Sequence, residues 1–264
     1  MPEITLEALL AHSRTRAAAL KDRRRELERA AADAPEARAF PGSREAPSVG
    51  IIAEVKRRSP SAGAIREDLD PATLAAAYVR GGAGAISVLT EDRYFGGSLG
   101  DLSVVARAVP VPVLRKDFVL DELQLVEARG AGASAVLLIA RALEPRRLAE
   151  LARAARGAGL APLIEIHSER ELDAALRAEP AALGVNSRDL DTFAVDLSSA
   201  ERLLARVPAS VPAVAESGVE ARGDVERLAA AGADLVLVGT SVARASDPEA
   251  AVRSLCGVAR RRRK

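Results

Sequence analysis

The stretch Ile51-Ile52-Ala53-Glu54-Val55-Lys56-Arg57-Arg58-Ser59-Pro60-Ser61 starts as an apolar run, acquires a carboxylate and an ammonium, and breaks at a proline. Side chains alternate along a strand, so Glu54 and Lys56 share one face with Ile52, while Ala53, Val55 and Arg57 take the other. In an ordinary apolar core, an acid and a base on one face carry a desolvation cost that their attraction often fails to recover. Two settings accommodate them. At an edge strand they form a solvated ion pair; at the mouth of a cavity they are available for chemistry.

Outward from this stretch the chain settles into a rhythm. Apolar runs recur at 51–56, 85–90, 111–115, 134–140, 161–166, 181–186, 211–215 and 234–239. Amphipathic segments rich in Ala, Leu, Arg and Glu lie between and after them, at 71–80, 98–108, 121–129, 144–156, 168–178, 196–206, 220–231 and 247–259. Strands alternating with helices call for parallel pairing through right-handed crossovers, and strands buried on both faces read as continuous apolar runs, as Val136 to Ala140 and Leu235 to Val238 do. Glycines at Gly81-Gly82, Gly130, Gly132, Gly157, Gly159 and Gly232 punctuate helix ends just before strands. Eight such units spaced by about 26 residues predict an α/β fold, a closed (β/α)8 TIM barrel. The competing open, doubly wound sheet usually carries a G-x-G-x-x-G turn after its first strand, and none follows here.

In a barrel, residues at the C-terminal ends of the strands converge on one mouth. Strand one ends here in Glu54 and Lys56, strand three in Lys116-Asp117, strand five in Glu165, strand six in Asn186, strand seven in Glu216-Ser217-Gly218 and strand eight in Gly239-Thr240. By alternation Lys116 shares a face with Leu114, and Glu165 with Leu163, whereas Ile164 and Ile166 point towards the helices. Any one of these charges alone reads equally well as a barrel-mouth salt bridge; together they read as a catalytic set. Ser217-Gly218 and Gly239-Thr240-Ser241 open turns into helices, offering backbone N–H groups that attract phosphate, although glycine turns and N-caps without a ligand have the same composition. Only six residues are aromatic, and none is tryptophan. Phe95 and Phe118 stand beside site loops, placed to sandwich an aromatic ring; Phe40 and Phe193 read as packing.

Composition narrows the function classes. The chain has 264 residues, 48% hydrophobic and 28% charged, with 38 Lys and Arg against 37 Asp and Glu. That balance leaves no global field to recruit nucleic acid or an acidic membrane. No segment approaches the roughly twenty apolar residues that span a bilayer, and the N-terminus carries no export pattern. Cys256 is the only cysteine, which excludes a disulfide framework and suits a reducing, cytoplasmic compartment. His12 and His167 lack the companions of a metal site, so no metal or other cofactor is expected. Residues 3–33 predict one helix ahead of the first strand, and Pro35, Pro41-Gly42-Ser43 and Pro47-Ser48 mark a linker. The expected organisation is a single domain: a helical extension and linker over 1–48, the barrel over 49–259, and a solvated basic tail over 260–264. Oligomeric state is not encoded legibly, and a monomer is the default.

The residues at the strand ends resemble those of the indole-3-glycerol phosphate synthase family. The supporting stretches are Ile52 to Ser61, Ser87 to Ser98, Leu114 to Phe118, Ile164 to His167, Gly184 to Leu190, Ala215 to Gly218 and Val238 to Ser241, in order along nearly the whole chain. The resemblance implies a phosphorylated small-molecule substrate, 1-(2-carboxyphenylamino)-1-deoxyribulose 5-phosphate, which is cyclised, decarboxylated and dehydrated to indole-3-glycerol phosphate. It implies catalytic roles for Glu54, Lys56, Lys116, Glu165 and Asn186. It implies substrate contacts from Ser59, Phe95, Phe118, Arg188, Glu216, Ser217, Gly218, Gly239 and Thr240. Asn186-Ser187-Arg188 stands where the family often has Asn-Asn-Arg, and Thr240 where serine is common. Two other readings are a phosphoribosylanthranilate isomerase, which relies on a cysteine and aspartate acid-base pair, and a phosphate-binding barrel without turnover. Cys256 lies in the last helix, far from the strand ends, and a mere binding module needs no Lys56, Lys116 and Glu165.

Overall fold

The structure, a computed structural model, describes residues 5–41, 46–60, 63–190, 192–261 and 263. Residues 3 and 4 of the expected first helix, Gly42-Ser43 of the linker, Ser61 of the first motif, and Arg262 and Lys264 of the basic tail lie outside the described residues.

Each apolar run forms a strand: β1 (Gly50–Val55), β2 (Ala85–Leu89), β3 (Val113–Lys116), β4 (Ala135–Ile139), β5 (Ala161–Ile166), β6 (Ala182–Asn186), β7 (Ala213–Glu216) and β8 (Leu235–Val238). They pair in parallel in sequence order, and β8 returns to β1, so the sheet is a closed (β/α)8 barrel and not an open sheet. Alternation divides the apolar side chains into two layers. Ile52, Leu114, Leu137, Leu163, Val214 and Leu237 pack in one cluster inside the barrel. Ile51, Val55, Val88, Ile164, Val185 and Val236 belong to the larger cluster between strands and helices.

The covering helices are α3 (Pro71–Arg80), α4 (Leu99–Ala108), α5 (Glu122–Gly130), α6 (Pro145–Gly157), α7 (Glu169–Arg177), α8 (Leu197–Leu204), α9 (Arg222–Ala230) and α11 (Pro248–Leu255), with a short α10 (Thr240–Arg244) between β8 and α11. Their starts are encoded locally. Asp70, Ser98, Asp121, Asp196 and Asp247 accept from backbone N–H groups of the first turn, and Pro71, Pro145 and Pro248 occupy positions where no N–H is needed.

The N-terminal segment is two helices, α1 (Leu6–Ala19) and α2 (Arg24–Asp33), joined by a 3₁₀ turn over Leu20–Arg23, where the sequence reads as one. The two halves on either side of the break dock at different places. Leu9 and Leu10 join the barrel-interior cluster beside Phe118 and Leu190, while Leu20 and Leu27 pack on Leu123 of α5. A continuous apolar periodicity does not reveal that its two halves face different partners.

The basic tail also departs from the solvated segment expected of it. Arg260 Nε lies 2.5 Å from Asp234 Oδ1, Arg263 Nη2 lies 2.7 Å from Asp234 Oδ2, and Arg263 also donates to the carbonyls of Gly232 and Val211. Asp234 is buried and accepts the backbone N–H of Ala213 at 2.8 Å. Just upstream, Ser48 bridges to Ala259 and Arg260 N donates to Pro47 O. Arg260 and Arg263 are therefore both held by one buried carboxylate at the N-terminal end of the barrel. Asp234→Ala leaves two guanidinium groups and an amide without their acceptor, so a loss of about 3 kcal/mol is expected in urea unfolding. An unchanged midpoint would show that the docking contributes nothing.

Candidate active site

The strand register brings the charged strand ends to one level. Glu54 pairs with Ser87 across β1 and β2, Leu89 with Lys116 across β2 and β3, Ile139 with Glu165 across β4 and β5, and Asn186 with Glu216 across β6 and β7. All the residues singled out from the sequence, Glu54, Lys56, Ser59, Phe95, Lys116, Phe118, Glu165, Asn186, Arg188, Glu216, Ser217, Gly218, Gly239 and Thr240, line one cavity of about 640 Å³. That is ample for a drug-sized ligand.

Lys116 is central to it. Its Nζ lies 3.7 Å from both Glu165 Oε2 and Glu216 Oε2, and the two carboxylates are almost completely buried. Burial works against the ammonium, but Glu165, Glu216 and Glu54 outweigh it and raise the lysine above its ordinary value. One ammonium cannot hold two buried carboxylates ionised side by side. Burial, reinforced by the neighbouring Glu165, pushes Glu216 well above the ordinary carboxylate range. Burial presses Glu165 in the same direction, yet Lys116 and then His167 hold it below its ordinary value, so it is ionised. The site thus sets an ammonium between one carboxyl held towards its charged form and another pressed towards its neutral form.

A second ion pair stands across the mouth, with Lys56 Nζ 2.8 Å from Glu54 Oε1. Both pairs depend on missing side chains. A Cβ on Gly184 would sit on Glu216 Oε1, and one on Gly239 would lie 2.5 Å from Glu54 Oε1 and 3.0 Å from Lys56 Nζ. Asn186 Oδ1 accepts the backbone N–H of Arg188 at 3.0 Å, which turns its amide nitrogen to Glu165. Arg188 donates to Phe193 O at 2.8 Å. Ser187 donates to the carbonyls of Glu216 and Ser217, both at 3.1 Å, bracing the end of β6 against the end of β7.

The rim beside Glu216 and Glu54 is built from turns. Ser217 and Gly218 both adopt left-handed φ values, 68° and 75°, a tight corner at which successive N–H groups turn towards one side. Gly239 caps α10, and Ser241 Oγ donates to Val219 O at 3.0 Å, tying the β7 turn to the β8 turn. These are the positions at which barrels frequently hold phosphate.

Behind Lys116 lies a polar hub. Arg115, fully buried on the outer face of β3, is 3.0 Å from Asp117 Oδ2 and 2.9 Å from Glu127 Oε2. Asp117 also accepts from Thr90 at 2.6 Å and from both terminal nitrogens of Arg16 on α1. Burial alone would raise this carboxyl, but Arg115 and Arg16 hold it down at about 2. Ser13 of α1 donates to Phe118 O, which also accepts from Gln124 Nε2 at 3.1 Å. The N-terminal helix thereby fixes the turn that carries Lys116 and Phe118.

Phe95 and Phe118 contact each other, with centroids 6.4 Å apart at 43°. They form one apolar corner, and the slot expected between two parallel rings is closed. Phe95 sits on a loop organised by Glu91, which accepts from the N–H groups of Arg93, Tyr94 and Phe95. His12 stands 2.9 Å from Asp92 and 3.6 Å from Glu91.

Several lining residues have no counterpart in the sequence reading. Leu9, Leu137, Ile139 and Leu237 make the apolar wall together with Leu190, Arg244 extends the rim beyond Ser241, and Phe193 lines the cavity where simple packing was expected. Alternation along β4 would have found Leu137 and Ile139, since odd positions there face inward. Nothing local marks Leu9. Phe40 does pack, buried in the interior cluster. Cys256 follows α11 and donates to the carbonyls of Gly81 and Val252, away from the cavity.

Residues 6–255 match the family described as indole-3-glycerol phosphate synthase. Among curated relatives, indole-3-glycerol phosphate synthase 2 of Streptomyces coelicolor is 49% identical over 86% of this chain and 88% of its own length. The enzyme of that name from Mycobacterium avium is 48% identical over 87% of this chain and 85% of its own. Rhodococcus jostii has another, 47% identical over 86% and 84% respectively. Solved structures similar in fold include a 3-hexulose-6-phosphate synthase, at TM-score 0.63, 19% identity and coverage of 78% of this chain and 98% of that one. A tryptophan synthase structure from M. tuberculosis aligns at TM-score 0.62 and 16% identity, over 81% of this chain and 93% of that one.

Proposed function

The chain belongs to the indole-3-glycerol phosphate synthase family, and from that premise we propose how its cavity performs the reaction. The chain is a carboxy-lyase of tryptophan biosynthesis: it closes, decarboxylates and dehydrates 1-(2-carboxyphenylamino)-1-deoxyribulose 5-phosphate to indole-3-glycerol phosphate. The observation that carries the residue assignment is the Lys116 ammonium, 3.7 Å from each of two buried carboxyl groups on the cavity floor.

The phosphate binds at the Ser217-Gly218 and Gly239-Thr240 turns, where backbone N–H groups are available without bulk. Phe95 and Phe118 hold the anthranilate ring against the wall made by Leu9 and Ile139. Arg188 and Lys56 meet its carboxylate, and Ser59 lines the same end of the cavity. As the aromatic carbon attacks the ketone, negative charge grows on the ketone oxygen, and Lys116, protonated at the outset, donates its proton there. Loss of carbon dioxide restores aromaticity. The remaining hydroxyl leaves as water with a proton from Lys56 or Lys116, while ionised Glu165 takes the proton from nitrogen; the adjacent methylene then loses a proton as the nitrogen regains one, which completes the indole ring. Glu54 holds Lys56, Asn186 orients Glu165, and Glu216 hydrogen-bonds to a substrate hydroxyl.

Every group in this scheme comes from one chain, so a monomer suffices. Among the described residues no helix is long and apolar enough to cross a membrane, and a cytoplasmic setting is part of the same reading, given one free thiol. Fluorescence of indole-3-glycerol phosphate formed from synthetic substrate is the direct test. Product formation by the wild type is expected; binding of the substrate without product would favour the barrel that only binds phosphate.

A further inference from the structure

His167 follows β5 and is 6% exposed at its side chain, and neither ring nitrogen has a hydrogen-bond partner among the described residues. A buried polar group left in that state calls for an explanation. Its position supplies one. Nε2 lies 3.3 Å from Glu165 Oε1, on the opposite side of that carboxylate from Lys116, whose Nζ is 3.7 Å from Glu165 Oε2.

We propose that His167 is a positioning residue for Glu165, its Nε2 gripping Oε1 so that Oε2 stays aimed at Lys116 and the reacting nitrogen. The inference rests on the reading of Glu165 as the base. The imidazole is itself held from behind. Glu171 on α7 approaches Nδ1 at 3.9 Å, and its carboxylate is fixed by the backbone N–H of His167 at 2.8 Å and by Ser168 Oγ at 2.9 Å. The charged groups facing the ring are therefore Glu165 from β5, Glu171 from α7 and, from the 3₁₀ segment after β4, Arg141. Burial and Arg141 disfavour the imidazolium; the two carboxylates outweigh them and raise the ring above its ordinary value. The resulting chain, Glu171 to His167 to Glu165 to Lys116, alternates in charge. It gives the base a second cation that no substrate has to displace.

Two histidines in the whole chain make the test direct. The imidazole signals of the intact protein are followed by NMR against pH, with His12→Gln assigning them. Replacing Glu165 by Gln removes one of the two carboxylates, so the His167 midpoint is expected to fall, while His12 stays where it is. In kinetics, His167→Ala should lower kcat by about 10- to 100-fold, as expected when a buried base loses its close ion-pair contact. Its KM should stay close to that of the wild type, and the acid limb of the kcat profile should move to higher pH, because Glu165 has lost a cation. His167→Gln, which retains a donor without a charge, should recover part of kcat but not the position of that limb. A His167 midpoint indifferent to Glu165→Gln, or a kcat unchanged in His167→Ala, overturns the proposal. The NMR arm needs no turnover, so the inference and the family reading can fail separately.

Discussion

Lys116→Ala should reduce kcat for indole-3-glycerol phosphate formation by roughly 10³-fold, within the 10²- to 10⁴-fold range of a lost general acid. The expectation follows from position as much as from residue type. The ammonium lies 3.7 Å from both Glu165 and Glu216, so its removal also makes it easier for Glu165 to take up a proton. Acid and base are then lost together. Lys116→Arg separates the two effects: it retains the positive charge, but guanidinium does not release a proton at any pH the protein survives. Turnover should therefore stay low in Lys116→Arg even though the carboxylates remain neutralised. Burst experiments on either variant should find ring closure impaired. Full activity in Lys116→Arg would assign the first proton to another donor, with Lys56 next in line.

Glu165→Gln should cost about 10²- to 10³-fold in kcat with little change in KM, since the amide fits the same space but takes no proton. Its effect on stability should be small and of either sign. The wild-type carboxylate is buried beside a lysine whose charge it balances, and Gln removes both a desolvation cost and an attraction. Circular dichroism and a urea midpoint near that of the wild type are the accompanying checks. Restored activity at high pH would indicate that the base serves only to hold Lys116, because hydroxide cannot replace a positioned carboxylate in a closed cavity. Gln at 165 with near-normal turnover would remove Glu165 from the mechanism altogether.

Most of the barrel was legible because its rules are local. Period-two alternation within continuous apolar runs, glycine at helix ends, and Asp or Ser before helices specify strands, caps and direction without any knowledge of the third dimension. The same logic brought Glu54, Lys116, Glu165, Asn186 and Glu216 to one rim, since parallel strands carry their C-terminal residues to the same end. The resemblance to a known family then supplied roles that alternation cannot. The break at Leu20, the docking of Arg260 and Arg263 on Asp234, and Leu9 in the cavity wall were not legible, because each depends on what an element meets after folding.

Residue order alone determined that eight βα units close into a barrel and that acids, lysines and glycine turns share its mouth. Which of two adjacent carboxyl groups carries charge was decided only by tertiary structure. Glu165 and Glu216 are the same chemical group on β5 and β7, the two strands that flank β6. Distances to Lys116 do not distinguish them, 3.7 Å in each case. The difference lies in their other neighbours: His167, just beyond the end of β5, lies 3.3 Å from Glu165, whereas Glu216 faces the carboxylates of Glu165 and Glu54. Ionisation in a buried site follows the sum of nearby charges and the loss of water, and both are properties of the folded arrangement.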